Sequence, residues 1–214
     1  MKAAVSNGFS GFVRGMALAV AAVLLAACST PADQHERAKG YAAETGKPGA
    51  KADSAAARRG ATTHYVEFRA RYALSYGHTF LIHGRLGAGG RIATREVAGL
   101  HPRGDDPSNW MLGHFLPVSS ETGASDGDTE DQYVSARYRI NLTAEQYEKV
   151  SGFIRNLQAS SPIWHAVLYN CNAFVGDVAG FMGLKAPSSL DLPVDYINGL
   201  RRLNGGRSRV TFGD

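Results

Sequence analysis

The chain is 214 residues long, with 23 Lys and Arg against 19 Asp and Glu and only two cysteines. That is about one domain plus extensions, long enough for a sizeable core. Lys2 and Arg14 fall among residues 1–27, where there is no acid, so the formal net charge of +4 drops to +2 without them; the basic balance gives no argument for a nucleic-acid partner.

Residues 1–27 have a positive start, an apolar stretch from Met16 to Ala27 and small residues at their end, the layout of an export signal. The stretch is shorter than the roughly 20 residues of a membrane span. Leu25-Ala26-Ala27-Cys28 resembles the lipobox of bacterial lipoproteins. That resemblance implies cleavage before Cys28, lipidation of its thiol and amine and, with Ser29 following rather than aspartate, anchoring to the outer membrane on its periplasmic side. Residues 28–61 hold mostly Ala, Gly, Lys, Glu, Asp, Pro and Ser, with Tyr41 as the single large apolar side chain. They are expected to form a disordered tether with a coil dimension of roughly 30 Å. Once Cys28 is acylated, Cys171 has no intramolecular partner and no structural disulfide can form.

The folded domain is expected over residues 62–204. Tyr65 to Tyr72 alternates polar and apolar side chains, a half-buried strand. Ser75-Tyr76-Gly77 reads as a turn, His78 to Leu86 as a second strand, Gly87 to Gly90 as a hairpin connection and Arg91 to Leu100 as a third strand. His101 to Pro107 is punctuated as a loop, Trp110 to Val118 reads as a short strand, residues 119–131 as a solvated acidic loop and Tyr133 to Asn141 as a strand. Thr143 opens a helix with Gln146 as its capping-box partner, and Tyr147, Val150, Phe153, Ile154 and Leu157 form its apolar stripe. Ile163 to Leu168 reads as a strand. Cys171 to Met182 then takes helical spacing, with Phe174, Val178 and Phe181 or Met182 on one face and Gly183 as its stop. A last helix runs from about Pro193 to Leu203, and residues 205–214 are expected to be a flexible tail.

Cys171 sits in the first turn of its helix, facing unpaired backbone N–H groups and the positive end of the macrodipole. That position favours thiolate and lowers the thiol pKa, unless the residue is simply a small buried hydrophobe. A cysteine hydrolase also needs an imidazole in hydrogen-bond reach and a group to orient it. His78, after Gly77 at the start of a strand, is the best histidine. The segments Gly77-His78-Thr79-Phe80-Leu81-Ile82 and Tyr169-Asn170-Cys171-Asn172-Ala173-Phe174, in that order, resemble the circularly permuted papain-like thiol hydrolases. This group holds lecithin retinol acyltransferase-type enzymes and permuted relatives of the NlpC-type cell-wall peptidases. The resemblance spans residues 63–183.

It implies an α+β, permuted papain-like domain with an antiparallel sheet packed against helices, Cys171 as nucleophile and His78 as general base and acid. The Cys171 backbone N–H would help form the oxyanion site. The family places a polar residue on the strand after the histidine, where this chain offers Glu96 and, at its end, His101. A hairpin closing across Gly87 to Gly90 sets His78 opposite about Gly99, so strict alternation favours His101 and a single bulge favours Glu96. Glu96 is preferred, because a carboxylate between Thr94 and Val97 needs a partner. Tyr169 stands either with its hydroxyl in the cleft or as a buried strand tyrosine.

The expected activity is cleavage of an amide, first of all in peptidoglycan stem peptides, by a monomer that needs no cofactor. The alternatives are an acyl-lipid hydrolase or transferase on the same site, or a non-catalytic envelope-binding lipoprotein. Other chemistries fare worse. His78 and His83 are an odd number apart on one strand and face opposite ways, and no Cys or His pair has zinc-finger spacing. Asp126 to Asp131 alternates oxygen ligands but lacks the calcium-loop pattern, and Gly87 to Gly90 joins two strands, so it is not a phosphate cradle.

Overall fold

A computed structural model describes residues 62–72, 77–104 and 106–211. The expected export signal, Cys28, the expected tether, Ser75 and Tyr76 of the expected turn, and residues 212–214 lie outside that range. The described chain is α+β, with antiparallel sheets packed against helices. β1 (His64–Arg71), β2 (His78–Arg85), β3 (Glu96–Gly99) and β6 (Val134–Leu142) form one sheet in the order β3-β2-β1-β6. β4 (His101–Pro102), β5 (Val118–Glu121) and β7 (Ile163–Trp164) form a second, in the order β4-β5-β7. The helices are α1 (Pro107–Leu112), α2 (Ala144–Ala159), α3 (Cys171–Phe181) and α4 (Pro193–Leu203). Among the described residues no helix is long and apolar enough to cross a membrane.

Alternation divides the large sheet into two faces. Val66, Phe68 and Ala70 of β1, Leu81 of β2, Ala98 of β3 and Tyr138 and Ile140 of β6 join Val150 and Ile154 of α2, Phe174, Val175 and Val178 of α3 and Ile197 and Leu200 of α4 in one core. The opposite face carries a small apolar group, Tyr65, Phe80 and Ile82, which continues into buried charge. There the Glu67 carboxylate accepts from Arg69 Nε at 2.7 Å and from Arg139 Nε at 2.6 Å, so a buried anion is held by two guanidinium groups. The capping box at α2 forms as expected: Gln146 N–H donates to Thr143 Oγ1 at 3.2 Å, and Thr143 N–H donates to Gln146 Oε1 at 3.0 Å.

Several expectations are corrected. Trp110 to Val118 is not a strand: Asp106 accepts from Ser108 N–H at 2.9 Å and Pro107 stands in the first turn, so α1 begins there and β5 follows only at Val118. The third strand is shortened to β3, because the Ala93 and Thr94 N–H groups both turn to the Arg85 carbonyl, at 3.0 and 3.3 Å, and interrupt the ladder. The apolar run after Pro162 is strand only at Ile163 and Trp164. His165 Nδ1 then accepts from the Val167 and Leu168 N–H groups and turns the chain outward. On α3 it is Met182, not the partly exposed Phe181, that completes the buried face. Residues 205–211 do not hang free: Asn141 N–H donates to Ser208 O at 2.8 Å, Tyr138 Oη to Arg207 O at 2.9 Å and Gln146 Nε2 to Val210 O at 3.1 Å, with Val210 buried.

Candidate active site around Cys171 and His78

Asn170 caps α3. Its Oδ1 accepts from Ala173 N–H at 3.0 Å, while its Nδ2 donates to Ala166 O at 2.7 Å and Ser189 O at 2.9 Å. Asn172 does the same work one residue past the thiol. Its Nδ2 donates to Ser189 O and Asp191 O at 3.1 and 2.7 Å, and its Oδ1 accepts from Thr79 Oγ1 at 2.8 Å. Two buried asparagines therefore tie the cysteine between the 189–191 strap and β2.

Cys171 is buried, in contact with Thr79. Burial raises its thiol pKa above the ordinary value, while hydrogen bonds involving Thr79 and the backbone of Asn172 and Cys171 itself pull the other way. The expected lowering from the helix N-terminus is thus outweighed by desolvation in this arrangement. Tyr196 of α4 is buried near the same end, its hydroxyl over Gly176, where a Cβ would come within 2.7 Å of it. Tyr169 takes neither expected place, since its hydroxyl donates to Asp177 Oδ2 on α3 at 2.6 Å.

His78 is fully buried at the start of β2, but on the other face. β2 pairs Thr79 with Ala70 and His78 with Arg71, so Thr79 points toward α3 while His78 lies with Arg71 and Phe80. Its ring is stacked with Phe80 and meets His101 and Trp110 edge-on, each at 6.1 Å between centroids. Gly99 makes room for it, as a Cβ there would stand 3.3 Å from His78 Nε2. Neither ring nitrogen has a hydrogen-bond partner, so thiol and imidazole are not hydrogen-bonded to one another. Desolvation lowers the imidazole pKa to about 4, against the opposing pull of Asp128, and the ring is neutral at pH 7.

The carboxylate that faces His78 is Asp128, with Oδ2 at 3.8 Å from Nε2. It is completely buried and held in place: Oδ1 accepts from Arg71 Nε at 2.5 Å, and Oδ2 accepts from the Ser125 N–H at 2.8 Å and the Ser125 hydroxyl at 3.2 Å. The 119–131 stretch is therefore not simply a solvated acidic loop. Glu96 is not brought to the pair; it is exposed and stands opposite His83, on the face of the sheet away from His78. The register also corrects the hairpin: Gly99 lies opposite Phe80, which carries the line from His78 toward His101. His101 Nδ1 donates to Pro102 O at 3.0 Å, leaving its Nε2 buried and unpartnered.

Sequence reasoning missed Asp128. Parity sets Arg71 on the same face as His78, but its burial, and the acid it then needs, come only from the loop that closes over it. Four buried side-chain polar atoms lack a hydrogen-bond partner among the described residues: both nitrogens of His78, His101 Nε2 and Trp164 Nε1. They belong to one cluster of rings, in which Trp110 bridges His78 and Trp164. Among the described residues, no group of three or more His, Cys, Asp or Glu is arranged to hold a metal ion. No protein-family model, curated protein or solved structure matches the chain.

Proposed function

We propose that the domain is a cell-envelope thiol hydrolase of the permuted papain-like (NlpC-type) group, anchored through a lipidated Cys28. Cys171 attacks the carbonyl carbon of an amide, first of all in a peptidoglycan stem peptide. The thiol proton passes to His78 and then to the leaving amine as the C–N bond breaks; water releases the acyl group and restores the thiol. The observation that carries this reading is the 2.8 Å bond from the Thr79 hydroxyl to Asn172 Oδ1, which ties β2 to the first turn of α3 beside Cys171. It sets a helix N-terminal thiol beside the residue next to a buried, unsatisfied histidine. Because Nε2 is directed at Asp128, Nδ1 is the nitrogen available to the thiol, and Asp128 takes the orienting role expected of Glu96.

The described arrangement is a closed one, with thiol and imidazole on two faces of β2. Pairing requires His78, at the first position of β2, to leave the face of the strand that it shares with Arg71. An acyl-lipid substrate is the second reading, favoured by the exposed Val167 and Leu168 just before Cys171.

The test is mass spectrometry of the full chain incubated with muropeptides and, separately, with acyl lipids. An acyl adduct on Cys171 with matching product, absent in Cys171→Ala, is the expected result. No adduct and no turnover on either class would leave a binding lipoprotein.

A further inference from the structure

From Pro107 to Ser120, and again from Ala159 to Gly176, the sequence holds no Asp, Glu, Lys or Arg, although a fifth of the chain is charged. The fold brings the two charge-free segments together. Ala166 N–H donates to Gly113 O at 3.0 Å, β5 pairs with β7, and Trp110 meets Trp164 at 5.3 Å between ring centroids. Among what they expose are six large apolar side chains, Met111, Leu112, Phe115 and Leu116 on one segment and Val167 and Leu168 on the other, beside the uncharged or neutral polar Ser108, His114, Ser119 and Ser160, with Leu168 72% and Met111 65% accessible. Trp110 packs α1 against the core, while Met111, Leu112, Phe115 and Leu116 of the same segment stay exposed as a short ridge. A continuous exposed patch of this kind is uncommon on a monomer and marks an interaction surface.

We propose that this apolar ridge docks the domain on a lipid bilayer, with the two segments inserted at the depth of the headgroups. Two observations select lipid over a protein or a wall polymer. The surface lacks the charges that a sugar-peptide polymer or a polar interface rim would engage, and charge is what a bilayer interior excludes most strongly. The second rests on the proposed lipid anchor: the lipobox resemblance implies an acyl group at Cys28, and a chain of the composition of residues 28–61 is expected to have a coil dimension of roughly 30 Å, so a ridge too weak to bind vesicles alone would act at high local lipid concentration. The lack of Asp, Glu, Lys and Arg in the two segments predicts docking on zwitterionic lipid, with little response to salt.

The two tryptophans of the protein, Trp110 and Trp164, lie beside the ridge and report its position. Full-length protein is reconstituted in phosphatidylcholine vesicles with plain or brominated acyl chains. Docking predicts that emission is quenched by the brominated lipid, that high salt leaves the quenching intact, and that Phe115→Glu with Leu168→Glu weakens docking about tenfold. Both sites are exposed, so the circular dichroism of the double variant should match wild type. Equal emission in the two lipids would overturn the proposal, as would a dimer in solution broken by the same substitutions without quenching. The thiol chemistry is not needed: Cys171→Ser should be quenched like wild type, so this proposal and the hydrolase reading fail separately.

Discussion

At pH 7 the His78 imidazole is neutral and fully desolvated, with a pKa near 4 against about 6.5 in the unfolded chain. Between those values the unfolded state binds the extra proton, so stability is complete above about pH 6.5 and is lost as pH falls toward 4. The full effect is about 3 kcal/mol, with His83, also lowered by burial, acting in the same direction. Urea midpoints at pH 7 and pH 4.5 should show this loss, and His78→Gln should flatten it. Asp128 belongs to the same environment. Replacing it by Asn leaves the buried Arg71 guanidinium without its anion, a change that costs about 3 kcal/mol for comparable buried pairs. The measured consequence should be a lower urea midpoint together with slower alkylation of Cys171; a change in stability with no change in thiol reactivity would make Asp128 purely structural.

The placing of Cys171 rests on the start of α3. Asn170 supplies the N-cap and two further hydrogen bonds, so Asn170→Ala should cost about 2 kcal/mol in urea unfolding and loosen the thiol from Thr79. Asn170→Asp, which keeps the cap acceptor, should recover the cap alone. How far the elements could be read in advance depended on whether local chemistry decided them. The capping box of Thr143 and Gln146, the stripe of α2, the cysteine at a helix start and the opposite faces of His78 and His83 follow from periods and caps, and all are found. Trp110 to Val118 misled because a β-favouring composition lost to the Asp106-Pro107 start of α1. The strand expected through Val167 and Leu168 stops at Trp164 because His165 accepts from both their N–H groups and turns the chain to the surface. Asp128 was not legible, since its burial depends on a loop closing over Arg71 from 57 residues away.

At the scale of the molecule, Cys171 at the start of α3 and His78 at the start of β2 are both buried, on opposite faces of that strand. The proposed chemistry therefore includes an opening step, and the resting protein is predicted to be a poor nucleophile until that step occurs. The central claim, that Cys171 and His78 act as a pair, is tested most directly by the rate of Cys171 alkylation by iodoacetamide as a function of pH, in wild type and in His78→Ala. Pairing in the open state predicts that wild type reacts at neutral pH at least tenfold faster than the variant, and that the variant becomes reactive only toward alkaline pH, as a buried unassisted thiol does. Coincident curves, both rising only in the alkaline range, would contradict it.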